Sequence, residues 1–343
     1  MLIRYAKRVL KQVVSPALDR MGLYDWQLGK LPSPGWMIVY YHRVIDDPSS
    51  DPFPSGMCIS RDHFDDQIRY LQRHFTPIGI RDGVARLQRG EALPDRAVSI
   101  TFDDGYLDNY QLALPILEKR RMPATLFVPT GGLDTDEPLW WDWVVHAFAY
   151  TTKSSFEPQS VELPLSSDAL SLRPWKRGEA VKRVMETLWT QPMDKIRSAV
   201  LRIERELLPL GSPASAARRM TSQQILDMHR RGIEIAAHSV NHPNLLLEAS
   251  AQVKWEMQTS KRILENICDC PVDGFAYPAG WLNDVTVSAA KESGFRYAVT
   301  TKKAFNLNEI DPLRLSRIGM PDTSVADFKR ALIWIARRKD KKQ

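Results

Sequence analysis

The stretch AVSITFDDGY, residues 97–106, is a run of apolar and β-forming residues that ends in two adjacent acids and a glycine. Its length and composition predict a buried strand over residues 97–102. In parallel α/β folds the carboxyl ends of the strands converge on one face, and active sites are built there. Asp103 and Asp104 are therefore expected at a functional face.

Short β-rich runs alternate with helical patterns along the chain, which is the signature of parallel strands joined by crossover helices. The pattern predicts seven strands, at residues 36–41, 97–102, 124–129, 233–237, 274–277, 297–301 and 313–318. Amphipathic helices are predicted at residues 62–75 and 221–229. The fold class is therefore α/β, with one strand fewer than the usual eight-stranded barrel.

The segment at about 138–220 interrupts this rhythm. It has a Trp-rich start, a polar part near residues 153–174 and a long helical pattern from Glu179 to Leu208. We interpret it as a helical insertion after the third strand. The chain then divides into an N-terminal amphipathic helical segment at 1–32, a barrel at 33–325 and a C-terminal helix with a charged tail at 326–343.

The composition is that of a globular enzyme, since 43% of the 343 residues are hydrophobic. The net charge is +6, but 47 basic residues are offset by 41 acidic ones without a long basic tract, so nucleic acid is not expected as a partner. Cys58, Cys268 and Cys270 form an odd set without a CxxC pair, which indicates free thiols in a reducing compartment.

The N-terminus does not have the unbroken apolar stretch of a signal peptide, because cations interrupt it every three or four positions. Its apolar residues share one helical stripe, formed by Leu2, Val9, Leu10, Val13 and Val14. Such a stripe fits a helix packed on its own domain or an interfacial helix on an anionic membrane. We expect a cytoplasmic protein, with peripheral contact at the inner membrane face as the second interpretation.

Two histidines, His238 and His242, follow the strand predicted at 233–237. Together with one carboxylate of the Asp103–Asp104 pair they would make a three-ligand site for a divalent metal, and the second carboxylate would be left to act as a base. The histidine pair and the pair of acids each have another interpretation. Histidines at this spacing are often structural, and Asp-Asp-Gly is also good turn or helix-capping chemistry.

Three segments together resemble the polysaccharide deacetylases of the NodB-homology type, carbohydrate esterase family 4. They are YYHRV at 40–44, TFDDGY at 101–106 and HSVNHP at 238–243, within a similarity that runs from about Gly35 to Gly319. The resemblance implies a distorted seven-stranded β/α barrel. The activity that it implies is hydrolysis of an N-acetyl group on an amino sugar of a polysaccharide or lipid-linked saccharide.

The resemblance also assigns roles to residues. It implies that Asp104, His238 and His242 hold a divalent metal, commonly zinc, and that Asp103 is the general base. The backbone N–H of Ala279 would stabilise the oxyanion. The side chains expected to contact the N-acetylated saccharide are Tyr106, Trp141, Tyr277, Pro278 and Trp281.

The chain departs from the family pattern at two places. Ala276 and Ala279 stand where many members carry an arginine that orients the base and a tyrosine after the proline. No histidine follows His242 to act as the late general acid, and the corresponding strand holds Arg317, which can orient a carboxylate but not release a proton. A protonated Asp103 and His42 are the alternative proton donors.

Three other functions stay open at this point. The missing late histidine would suit a catalytically weak or inactive saccharide-binding or assembly protein of the same fold. Two histidines and a carboxylate are also the ligand set of non-haem iron oxygenases. A small non-sugar amide is a further substrate class, because such folds are not tied to one substrate. The sequence does not indicate the oligomeric state.

Overall fold

The computed structural model describes residues 14–30, 35–49, 57–165, 168–212, 217–307 and 310–338. The strands are β1 Met37–Tyr41, β2 Arg43–Ile45, β3 Cys58–Ser60, β4 Thr76–Pro77, β5 Ala97–Phe102, β6 Ala124–Val128, β7 Ser155–Phe156, β8 Leu170–Ser171, β9 Glu234–Ala237, β10 Gly274–Ala276, β11 Tyr297–Val299 and β12 Ile318–Gly319. The α-helices are α1 Ser15–Arg20, α2 Leu23–Gly29, α3 Arg61–His74, α4 Ile80–Gln88, α5 Leu114–Arg120, α6 Trp140–Tyr150, α7 Pro174–Leu188, α8 Met193–Leu207, α9 Ser222–Arg230, α10 Ser250–Cys268, α11 Asp284–Glu292 and α12 Val325–Arg338.

A parallel sheet forms the centre of the molecule. Seven strands follow the order β11–β10–β9–β6–β5–β1–β12, and the two-residue β4 pairs with β5 outside that order. Leu315, just before β12, pairs with Val299 of β11, so the segment that ends in β12 contacts both ends of the order. The α/β class and the distorted seven-stranded barrel are confirmed.

The seventh strand is shorter than the sequence predicts. Residues 313–318 were expected as a strand, but Pro312–Arg314 forms a 3-10 turn and only Ile318–Gly319 is a strand. Pro312 has a fixed φ and no N–H to donate to a ladder. The backbone N–H of Leu315 still donates to Ala298 at 2.9 Å, which keeps this segment against β11.

The central strands are buried along their whole length, as expected for parallel strands covered by helices. All six residues of β5 and all five of β6 are buried. The two amphipathic helices predicted from the sequence are confirmed as α3 and α9. The N-cap of α3 is Ser60, whose hydroxyl accepts the His63 N–H at 3.4 Å, and Asp62 lies within the first turn.

The helical insertion lies between β6 and β9, after the third of the seven strands, as predicted. It contains α6, α7, α8 and the short β7–β8 pair. The helical pattern from Glu179 to Leu208 belongs to two helices, which are separated at Pro192 because proline cannot continue the first helix. Buried apolar side chains of the insertion form a hydrophobic cluster apart from the main core.

The two ends of the described chain pack together, since α12 contacts α1 and α2. Lys329 on α12 donates to Asp19 at 2.8 Å and to Asp25 at 2.7 Å. Residues 1–13, which carry most of the predicted amphipathic stripe, lie outside the described residues, as does the tail after Arg338. Among the described helices, none has the length and apolar character needed to cross a membrane.

Candidate active site

Asp104, His238 and His242 meet at the carboxyl end of the sheet. Asp104 follows β5, and His238 follows β9. Asp104 Oδ1 lies 3.7 Å from His238 Nε2 and 3.9 Å from His242 Nε2, and the two Nε2 atoms are 3.1 Å apart. All three side chains are buried. The fold thus brings together the three residues that the resemblance assigns to a metal.

A buried glutamate that the sequence analysis missed shapes the loop between the two histidines. Glu256 of α10 is fully buried and accepts the backbone N–H groups of Val240 at 2.8 Å and Asn241 at 2.9 Å. Ser239 and His242 adopt positive φ angles of 65° and 54°, which are unfavourable for residues other than glycine. The one sequence signal for Glu256 is a charge on the buried face of an amphipathic helix.

The donor set fits a divalent cation. His238 Nδ1 lies 2.7 Å from the carbonyl oxygen of Ala276, so Nδ1 donates there and Nε2 presents its lone pair to the site. Burial holds the pKa of both His238 and His242 below the usual range, and neutral imidazoles are the form that binds metal. Burial and the neighbouring Asp103 carboxylate hold the pKa of Asp104 well above its usual range, which a bound cation would reverse.

Asp103 is held by an arginine. Arg317 Nη1 and Nη2 each donate to one carboxylate oxygen of Asp103 at 2.7 Å. The guanidinium is fully buried and lies over the rings of Tyr40 and Phe127 at 4.7 and 5.3 Å from their centroids. Burial is the largest single influence and raises the pKa of Asp103, but the charge and hydrogen bonds of Arg317, together with His238 and His42, hold the pKa below its usual range. Asp103 is therefore an ionised carboxylate.

Arg317 makes the contact with Asp103 that the resemblance assigns to an arginine at the position of Ala276. Ala276 ends β10, and its own side chain cannot make that contact. The segment before β12 brings Arg317 to the same carboxylate, and the Thr300 carbonyl accepts its Nε–H at 2.9 Å. The interpretation that Arg317 orients a carboxylate agrees with this geometry.

His42 and Ala279 line the same cavity as Asp104, His238 and His242. Burial lowers the pKa of His42 to about 4, so this imidazole is neutral near pH 7 and is a weak source of protons. Ala279 has a positive φ of 54°, within a 3-10 turn at Pro278–Gly280. Its carbonyl oxygen accepts from the Thr301 hydroxyl at 2.9 Å, which fixes the turn.

The predicted substrate contacts divide into two groups. Trp141, Tyr277 and Trp281 line the cavity. Tyr106 does not reach it: the ring is fully buried, its hydroxyl donates to Asp142 at 2.9 Å and accepts from Trp141 Nε1 at 2.8 Å. Pro278 is buried in its turn and is not among the lining residues. The expected contact of Tyr106 with the saccharide is therefore wrong, and Tyr106 instead holds Trp141 through a hydrogen bond.

The cavity itself has a volume of about 1120 Å³ and extends from the metal ligands to α7. Trp189, which directly follows α7, lies between Trp141 and Trp281, with ring centroids 6.3 and 5.5 Å away, and 5.5 Å from the ring of His242. Trp189 was not predicted as a site residue, because a single tryptophan in a helical pattern gives no sign of where it faces. The three indoles form one side of the site.

Comparison with known proteins gives the family context. A family model described as polysaccharide deacetylase matches residues 90–150 and 202–298. The chain is 20% identical over 266 residues to the putative polysaccharide deacetylase YxkH of Bacillus subtilis, covering 77% of this chain and 64% of that protein. It is 30% identical over 118 residues to the poly-beta-1,6-N-acetyl-D-glucosamine N-deacetylase of Escherichia coli K12, covering 34% of this chain and 17% of that protein. The chain therefore spans less than two thirds of the length of these curated relatives.

Solved structures share the fold. A Streptococcus pyogenes deacetylase, PplD, in complex with acetate has a TM-score of 0.58 at 21% identity, covering 88% of this chain and 99% of that one. IcaB from Ammonifex degensii has a TM-score of 0.57 at 18% identity, covering 89% and 97%. The matched segments of the family model contain Asp103, Asp104, His238 and His242. Over these segments the chain is similar to the polysaccharide deacetylase family.

Proposed function

We propose that this protein hydrolyses N-acetyl groups on amino sugars of a saccharide, with a divalent cation held by Asp104, His238 and His242. The observation that supports the proposal most strongly is that the two adjacent acids have different partners. Asp104 lies with the two imidazoles, whereas Asp103 is paired with Arg317. A ligand and a separate carboxylate base within one site are what metal-assisted hydrolysis of an amide needs.

A cation bound there would polarise the acetyl carbonyl and lower the pKa of a water molecule from about 15.7 towards roughly 7. Asp103, ionised beside Arg317, accepts the proton that the attacking water loses. As the C–O bond forms, negative charge develops on the former carbonyl oxygen, and the Ala279 N–H is the backbone donor assigned to it. Arg317 keeps Asp103 in one orientation through two parallel hydrogen bonds.

The C–N bond breaks when the leaving nitrogen receives a proton. We assign that proton to Asp103, because Arg317 holds its pKa low and a strong acid gives up its proton readily. His42 is the weaker candidate, since burial lowers its pKa to about 4 and leaves it unprotonated at neutral pH. Acetate and a free amino sugar are then the products.

The metal and the substrate class follow from the same site. Two imidazoles and one carboxylate with further positions open are a ligand set that catalytic zinc uses, and we propose zinc as the resident cation. The relatives named as poly-beta-1,6-N-acetyl-D-glucosamine N-deacetylases support an N-acetylated amino-sugar chain as substrate. The three indoles beside the ligands offer flat faces for sugar rings.

Acetate release from an N-acetylated oligosaccharide, with and without a chelator, tests this function. We expect release that stops on chelation and returns with zinc. A protein that binds the oligosaccharide but releases no acetate with any divalent metal would instead be the saccharide-binding relative. Oxygen consumption with iron would point to the oxygenase. Acetate release only from small non-sugar amides would show that the substrate is such an amide and not a saccharide.

We further propose a cytoplasmic location with peripheral contact at the inner membrane face. Large apolar side chains are exposed where α1, α2 and α12 pack together: Met21, directly after α1, is 70% exposed, and Trp26 and Trp334 are 56% and 53% exposed. Indoles favour a lipid interface, and the cations that lie between the apolar residues of the N-terminal stripe, Arg4, Lys7, Arg8 and Lys11, would favour an anionic surface. Co-sedimentation with anionic vesicles, and its loss in neutral vesicles or after deletion of residues 1–13, is the expected result. Absence of sedimentation with both vesicle types would reject it.

A further inference from the structure

The cavity continues from the metal ligands along one face of α7. The lining positions of α7, together with Trp189 directly after it, are separated by three and one residues in turn: Pro174, Arg177, Gly178, Val181, Lys182, Met185, Glu186 and Trp189. Such spacing marks a single face of a helix. From Pro174 to Trp189 the face measures about 22 Å at 1.5 Å per residue. The groove therefore extends well beyond the metal site.

The opposite side of the groove comes from α6. Trp141, Val145 and Ala149 line it at intervals of four residues, so one face of α6 lies opposite the face of α7. The greater part of this lining is apolar. The hydroxyl groups of a sugar chain placed against valine and methionine would lose their hydrogen bonds to water, which is unfavourable. An aliphatic chain would gain by leaving water there.

Two cations, Arg177 and Lys182, and one anion, Glu186, also line this apolar groove. Arg177 is fixed by donating to the carbonyl oxygens of Leu172 and Thr151, at 2.8 Å each. Lys182 is exposed and lies 3.7 Å from Glu186. The two cations would not stabilise a neutral acyl chain, whereas they would attract the phosphate that joins a saccharide to a lipid.

We infer that the groove between α6 and α7 binds the aliphatic chain of a saccharide that is joined to a lipid through phosphate. The inference rests on the proposed function, because the groove is continuous with the metal site. It concerns a part of this chain outside the common pattern, since α7 lies between the two segments matched by the family model. The bound lipid would set which saccharide presents its N-acetyl group to Asp103.

Gly178 allows a direct test. Gly178 lines the groove, and nothing lies within 4 Å of a Cβ placed on it, so a side chain added there starts in open space. Gly178→Leu would occupy the groove, and Gly178→Ala is the matched control, because both substitutions favour the helix. The probes are N-acetylglucosamine phosphate diesters with a decyl or a methyl group, and N-decanoylglucosamine, each measured by calorimetry.

The wild type is expected to bind the decyl diester at least about 100-fold more tightly than the methyl diester, since each buried methylene contributes a factor of about four. Gly178→Leu should lose that difference, and Gly178→Ala should keep it. Equal binding of the two diesters, or an unchanged preference in Gly178→Leu, would overturn the inference. If N-decanoylglucosamine binds as tightly as the decyl diester, the groove holds the N-acyl group of the sugar and not a phosphate-linked lipid. That result would also overturn the inference.

Acetate release from a lipid-free N-acetylated oligosaccharide separates this inference from the proposed function. We expect that activity to be the same in the wild type and in both Gly178 variants. A wild type that releases no acetate would reject the deacetylase function while leaving the binding result in place. A Gly178→Leu variant that loses the lipid-free activity as well would show that the groove holds the saccharide, against the inference.

Discussion

The barrel and the insertion contribute to one cavity with different chemistry. On the barrel side, Asp103, Asp104 and the two histidines follow strands and are fixed by ion pairs and hydrogen bonds. On the insertion side, α6 and α7 contribute mainly apolar faces. Under the proposed function the reaction takes place at the strand ends, and under the further inference the insertion selects what is attached to the reacting sugar. Each side can therefore be tested without altering the other.

The largest effect is expected on the barrel side. Asp103→Asn removes the proton acceptor but keeps the size of the side chain, so acetate release should fall by about 10²- to 10⁴-fold. Zinc content, measured by elemental analysis, should not change, because Asp103 pairs with Arg317 instead of the imidazoles. Loss of zinc together with activity would contradict the separation of base from ligand.

The stability of Arg317 variants tests the barrel side in a second way. Arg317→Met leaves the Asp103 carboxylate buried without its partner, and the free energy of unfolding should fall by about 3–5 kcal/mol. Denaturant unfolding of Arg317→Met, Asp103→Asn and the double variant makes a double-mutant cycle. The double variant should be less destabilised than the sum of the single ones. Additive effects would mean that the two residues do not interact.

On the insertion side, Asp142 of α6 predicts a pH effect. Burial raises its pKa to about 7, from an ordinary value of 3.8. Between these values the folded protein keeps a proton that the unfolded chain has lost, so Asp142 should make stability fall as pH rises, by about 1 kcal/mol per pH unit, until about pH 7. In Asp142→Asn that part of the slope should disappear from unfolding curves measured between pH 4 and pH 8. An unchanged slope would show that Asp142 is ionised throughout.

The smallest effect is expected from the exposed aromatic side chain of the site. Trp281 is 38% exposed and lines the cavity, whereas Trp255 is 45% exposed on α10 and is not among the lining residues. Trp281→Ala should raise KM for an N-acetylated oligosaccharide about tenfold with kcat almost unchanged, because it removes binding that substrate and transition state share. Trp255→Ala is the control. Equal effects of both substitutions would remove the stacking role.

The sequence was informative where spacing along the chain reports position in the fold. Asp103 and His238 follow strands whose apolar runs are easy to find, and the parallel order then places them on one face. Spacing does not show which distant side chains meet. Arg317 reaches Asp103 only because the segment before β12 contacts both ends of the strand order. Glu256 and Trp189 were missed for the same reason, since both act through tertiary contacts.

Zinc content of the wild type and of His238→Ala, measured beside acetate release, shows whether Asp104, His238 and His242 hold the metal that the reaction needs. The wild type should hold one zinc ion per chain and release acetate from an N-acetylated oligosaccharide. His238→Ala should lose both, while His229→Ala on α9 should keep both. Full zinc content and activity in His238→Ala would contradict the claim that Asp104, His238 and His242 form the catalytic metal site.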